Sequence, residues 1–115
     1  MRTVYKVIEY KGKEYQAIFN LNVMEQIQEE YKSITKWGEL TDGSSGEVDV
    51  KALIFGLELM LNEGIEIKNE DTGTNEPLLT HKQVGRIVSE AGVVESAKTL
   101  NDLVVESTKD DSKNA

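Results

Sequence analysis

The chain has 115 residues and a net charge of −8, with 21 acidic against 13 basic side chains. This charge disfavours nucleic acid and anionic membrane surfaces as partners, because phosphate groups are repelled by it. The chain contains no cysteine, which excludes disulfides, thiolate metal sites and a cysteine nucleophile. The length suits one domain with one core, and the charged first twenty residues and the absence of a long apolar run predict a cytoplasmic protein.

The first twenty residues have the pattern of a β-hairpin. Residues 3–10 and 14–19 are rich in β-branched and aromatic side chains, and a glycine-containing turn, Lys11-Gly12-Lys13, separates them. Tyr5 and Val7 give the outward face of the first strand apolar character. Two interpretations stay open: ordinary exposure on an antiparallel strand, or a face that a partner or a further sheet covers. The alternation of the first strand places three residues on the face opposite Tyr5 and Val7: Val4, Ile8 and Tyr10.

Two helices are predicted next. Apolar residues recur every three or four positions after the capping residue Asn20, which predicts a helix over 21–36 that Gly38 ends. Trp37, beside that end, is either a plug over the core or an aromatic contact anchor. A second helix is predicted over 50–62, capped by Asp49 and ended by Gly64, and its broad apolar surface places it at the centre.

The rest of the chain predicts a polar loop and two more helices. The loop within 65–79 lacks the ligand register of a calcium loop, so no metal site is expected. Thr80 and Gln83 form a capping box that starts a third helix, and Gly92 separates it from a fourth. The prediction is an α+β fold, with an N-terminal β-hairpin packed on a small bundle of about four helices. It comprises one domain over 1–106 and a disordered polar tail over 107–115.

The reactive side chains do not predict catalysis. His81, the only histidine, lies in the first turn of a helix, where the helix dipole disfavours its charged form. No hydrolase, zinc-protease or dinucleotide motif occurs in the sequence. We therefore expect no catalytic residue, no cofactor and no metal.

The order of these segments resembles the tail assembly chaperones of long-tailed bacteriophages and the related gene transfer agent proteins. The resemblance spans residues 5–103. It is carried by the segments YKGKEY, FNLNVMEQIQEEY, the Trp-Gly-Glu-Leu step, DVKALIFGLELMLNEG and LLTHKQVGRIVSEAG. It implies a small α+β protein of the host bacterial cytoplasm that binds the tape measure protein during assembly, and it leaves the tail tube subunit open as a second partner.

The partner surface is expected where aromatic or aliphatic side chains lie near loop edges. A long helical partner with exposed apolar stripes would aggregate unless covered, and an acidic chaperone would keep the complex in solution. Self-association is left open. The candidate partner-binding residues are Tyr5, Val7, Trp37, Leu40, Leu78 and Leu79.

Two other functions remain as alternatives. A structural head-tail or tail connector would form a ring through heterologous interfaces and stay in the finished particle. A small acidic regulatory or inhibitor protein would occupy a basic site on another protein. A chaperone would be absent from the particle, which separates it from a connector.

Overall fold

The computed structural model describes residues 4–113, the last four of them as backbone only. The predicted α+β class is confirmed: a two-stranded antiparallel hairpin precedes helices, of which the described part of the chain has five. The elements are β1 Tyr5–Tyr10, β2 Lys13–Ile18, α1 Leu21–Tyr31, α2 Ile34–Thr41, α3 Val50–Thr72, α4 His81–Ala91 and α5 Val93–Lys113.

The hairpin closes through a two-residue turn. Tyr10 pairs with Lys13, and the residues between them, Lys11 and Gly12, have φ of 52° and 77°. Two positive φ values in succession are the pattern of a type I′ turn, whose twist matches that of the strands. The turn predicted from sequence is therefore confirmed, with a non-glycine residue at its first central position.

The predicted helix over 21–36 is two helices. Lys32, with φ of 77°, ends α1, and the Ser33 hydroxyl accepts a hydrogen bond from the Lys36 amide at 3.0 Å to begin α2. A new N-cap here satisfies the amides of a second helix, which lets the chain turn toward the core. Trp37 and Gly38 consequently lie inside α2, and the predicted stop at Gly38 is wrong.

The central helix α3 is longer than predicted. It continues past Gly64 to Thr72 and ends at Gly73, whose φ of 70° is left-handed. Gly64 instead lies against the backbone of Gln16 in β2, so closely that a Cβ atom would overlap the Gln16 carbonyl oxygen. Because it has no side chain, Gly64 allows α3 to approach β2 closely, and the helix continues through it.

The last two helices follow the predicted order. The capping box of Thr80 and Gln83 is present, and Gly92, with φ of 97°, separates α4 from α5. The predicted disordered tail over 107–115 differs from the structure, because α5 runs to Lys113 and Ser107 is fully buried. Once a helix is anchored by packing, each further residue adds a backbone hydrogen bond without needing an apolar side chain. Residues 114–115 lie outside the described part.

The core surrounds α3, which packs against β2 and against the other four helices. No helix within residues 4–113 is long and apolar enough to cross a membrane. The largest fully buried side chains are Trp37, Phe19, Ile27, Leu53, Leu57, Met60, Leu61, Ile87, Leu100, Leu103, Val23 and Val84.

Candidate protein-binding surface

The outer face of the hairpin exposes two apolar side chains. Val7 pairs with Gln16 and Tyr5 with Ile18, so these residues share one face of the two-stranded sheet. Tyr5 is 53% exposed and Val7 48%, whereas Ile8 on the opposite face packs against the core. Tyr5 and Val7 are adjacent along one face, and the hairpin therefore presents an apolar strip.

A groove runs beside this strip. It has a volume of about 380 Å³ and separates the hairpin from the C-terminal part of α3. Val7 and Gln16 line one wall, and Ile65, Ile67 and Lys68 line the other. The predicted polar loop within 65–79 missed this wall, because the first of these residues continue α3 as far as Thr72.

An ionic cluster closes one end of the groove. The Lys13 and Lys68 ammonium groups each lie 2.8 Å from a different carboxylate oxygen of Glu76. Hydrogen bonds from these two lysines lower the pKa of Glu76 from 4.5 to about 2, and the same contact raises the pKa of Lys13. The Asn69 side chain also bonds both the amide and the carbonyl of Glu76, at 2.9 and 3.0 Å. These contacts fasten the loop after α3 to the hairpin.

Trp37 is not available as a contact anchor. Its side chain is 1% exposed, and the indole Nε1 donates a hydrogen bond to the Ala52 carbonyl at 3.0 Å. Of the two interpretations of Trp37, the plug over the core agrees with its burial. The contact anchor is wrong for this fold. Leu40 lies in the same helix, half-buried against the core.

Leu78 and Leu79 precede α4 and differ in exposure. Leu78 is 48% exposed, whereas Leu79 is half-buried and packs against the core. The Asn62 side chain fixes Leu79 by accepting from its amide at 2.8 Å and donating to its carbonyl at 3.0 Å. Of the six predicted residues, only Val7 lines the groove, and Tyr5 lies next to it on the same face.

A second apolar depression was missed by sequence reasoning. It has a volume of about 450 Å³ and is lined by Val48, Val94 and Ala97, with Lys98 and Asp102 at its rim. Val94 is 77% exposed, the most exposed of the large apolar residues in the described part. The adjacent pair Val93-Val94 was the available signal, because neighbouring positions point about 100° apart and, on a helix with a narrow apolar face, one of the two is left exposed.

The only histidine of the chain is paired with an acidic side chain. His81 is exposed, and its Nδ1 lies 2.9 Å from a carboxylate oxygen of Glu58. No cluster of three or more potential metal-ligating side chains occurs within the part of the chain that the structure describes. The arrangement offers apolar contact area and charge, which are the means of protein binding.

No family model, curated protein or solved structure matches this chain.

Proposed function

We propose that this chain is a non-catalytic tail assembly chaperone of the bacterial cytoplasm, which covers an apolar helical segment of the tape measure protein. The observation that carries the proposal is the apolar strip of Tyr5 and Val7 at the rim of the groove beside α3. Such exposed strips beside a groove are typical of protein-binding surfaces.

The chemistry of the strip suits a helical partner. Tyrosine offers a large apolar ring with a polar end, and aromatic residues of this kind supply much of the energy at protein interfaces. Ile65 and Ile67 supply apolar contact area along the groove for a helix that docks there. The net charge of −8 keeps a complex with an otherwise insoluble partner in solution.

Binding is tested with purified proteins. A purified tape measure protein of a long-tailed bacteriophage is titrated by calorimetry with the parent chain and with Tyr5→Ala and Val7→Ala. We expect each variant to raise Kd about tenfold, because truncating an interface anchor costs about 1.4 kcal/mol or more. Leu21→Ala is the matched control, because Leu21 is 66% exposed on α1, outside the groove.

The result that contradicts the proposal is equal affinity of the parent, Tyr5→Ala and Val7→Ala. Failure of the parent chain to keep the tape measure protein in solution would contradict it as well. Recovery of the chain in purified finished particles would favour the connector function instead.

A further inference from the structure

The two edges of the hairpin differ in how they are covered. The outer edge of β2 lies against α3, where Gly64 contacts the backbone of Gln16. Across residues 4–113, the backbone hydrogen bonds of β1 join it to β2 and to no other element. The outer edge of β1 therefore presents unpaired backbone groups.

The register identifies these groups. A two-residue turn makes Tyr10 and Lys13 a hydrogen-bonded pair, and such pairs alternate with non-hydrogen-bonded ones along the hairpin. The amides and carbonyls of Tyr5, Val7 and Glu9 therefore point away from β2. The orientation of the Gln16 carbonyl supports this assignment, because Gln16 is the partner of Val7 and its carbonyl points outward from the opposite edge toward Gly64.

Two common protections of an edge strand are absent from β1. Exposed edges are often blocked by a proline or by a bulge. The strand contains no proline, and its pairing runs from Tyr5 to Tyr10 without a bulge. Its single lysine, Lys6, projects to the inner face, where its ammonium group lies 2.9 Å from a Glu106 carboxylate oxygen.

We propose that a second copy of this chain pairs with this edge. The two β1 strands run antiparallel, with Val7 opposite Val7 on a two-fold axis, and they join the hairpins into a four-stranded sheet. Such an interface is isologous and closes on itself. It uses the backbone edge and leaves the outer face free, so the apolar strips of both copies form one platform for a partner.

Charge and strand length together select this register over its neighbours. With Val7 on the axis, Tyr5 faces Glu9 of the other copy, Lys6 faces Ile8, and no like charges oppose each other. Moving the axis to Lys6 places two lysines opposite each other, and moving it to Glu9 places two glutamates together, which is destabilising. An axis at Ile8 places Tyr5 beyond the end of the partner strand, opposite its turn.

Cysteine scanning tests the register, because the chain has no cysteine of its own. Val7→Cys places two thiols opposite each other, with Cα atoms about 5.5 Å apart, inside the range that a disulfide bridges. We expect mild oxidation to convert Val7→Cys into a covalent dimer. Glu9→Cys is the matched control on the same face and should link to Tyr5→Cys in a mixture but not to itself.

Sedimentation equilibrium tests the association of the parent chain. We expect a reversible dimer whose Kd falls as salt increases, because two copies of net charge −8 repel each other at low ionic strength. Val7→Pro removes an outward-pointing amide without removing a hydrogen bond between β1 and β2, and it should raise Kd at least tenfold. Circular dichroism checks that the fold of this variant is retained.

Two results would overturn the proposal: a parent chain that stays monomeric at every concentration and salt, or Glu9→Cys dimers as abundant as Val7→Cys dimers. All measurements use this chain alone, so their outcome is independent of whether the tape measure protein is the partner. If Val7→Pro fails to fold, the cysteine scan still tests whether two β1 strands pair with Val7 opposite Val7.

Discussion

Gly64→Ala probes the contact that positions the hairpin on α3. Gly64 is buried in the middle of this helix, and an added Cβ would overlap the Gln16 carbonyl oxygen and crowd its carbonyl carbon. The obstacle is backbone rather than a flexible side chain, so β2 and α3 must move apart. That movement disturbs the packing of Ala17 and Phe19, the buried residues that follow Gln16.

Two opposing effects set the change in the free energy of unfolding that Gly64→Ala causes. Alanine is favoured over glycine inside a helix by about 1 kcal/mol. Forcing an extra carbon into a packed contact costs about 1–3 kcal/mol, and the cost is at the upper end here because both neighbours are backbone. We expect a net loss of about 1–2 kcal/mol in the free energy of unfolding, which lowers Tm by about 4–8 °C for a domain of this size.

Urea unfolding measures this loss, with Trp37 fluorescence and far-UV circular dichroism as independent probes of a two-state transition. Gly38→Ala is the control, because Gly38 is also inside a helix but a Cβ there meets no atom within 4 Å. This control should gain about 0.5–1 kcal/mol. A Gly64→Ala protein as stabilised as Gly38→Ala would refute the reasoning.

Three further predictions concern other contacts. Trp37→Phe should lower the free energy of unfolding by about 1–2 kcal/mol through the lost indole hydrogen bond and ring volume, seen by circular dichroism. The same variant should leave Kd for the tape measure protein within about threefold, because the ring is buried. Asn62→Ala should cost about 1–3 kcal/mol in a urea titration, because it leaves both backbone groups of Leu79 without their partner. The Glu76 carboxylate has a pKa lowered from 4.5 to about 2, so its ion pairs should stabilise the fold above pH 4.5. That contribution should be lost as the pH falls from about 4.5 to about 2, which NMR titration of the Glu76 carboxyl carbon checks, and Glu76→Gln should lack it.

The candidate surface was only partly predictable. The alternation of β1 placed Tyr5 and Val7 on an outward face, and the structure leaves both side chains exposed. The sequence also made Trp37 a candidate binding residue, because aromatic residues beside a predicted helix end serve both as core plugs and as contact anchors. Its burial depends on α3 packing over it, and its indole bonds the Ala52 carbonyl, 15 residues later in the chain.

The second wall of the groove required the tertiary structure. Residues from Ile65 to Thr72 contain many polar side chains, and their local preferences do not distinguish a loop from a solvated helix end. They are helical because α3 is already anchored in the core by Leu61 and Ile65, and each further turn then forms at little cost.

By itself, the sequence determined the features that depend on neighbouring residues: the Lys11-Gly12 turn, the Thr80 capping box and the break at Gly92. Each is specified by a backbone preference or a hydrogen bond within a few positions. The tertiary structure decided the role of Gly64, since local preference makes a glycine a helix stop. Its real constraint is the close approach of Gln16, 48 residues earlier by their numbers, and only the packing of strand on helix brings the two together.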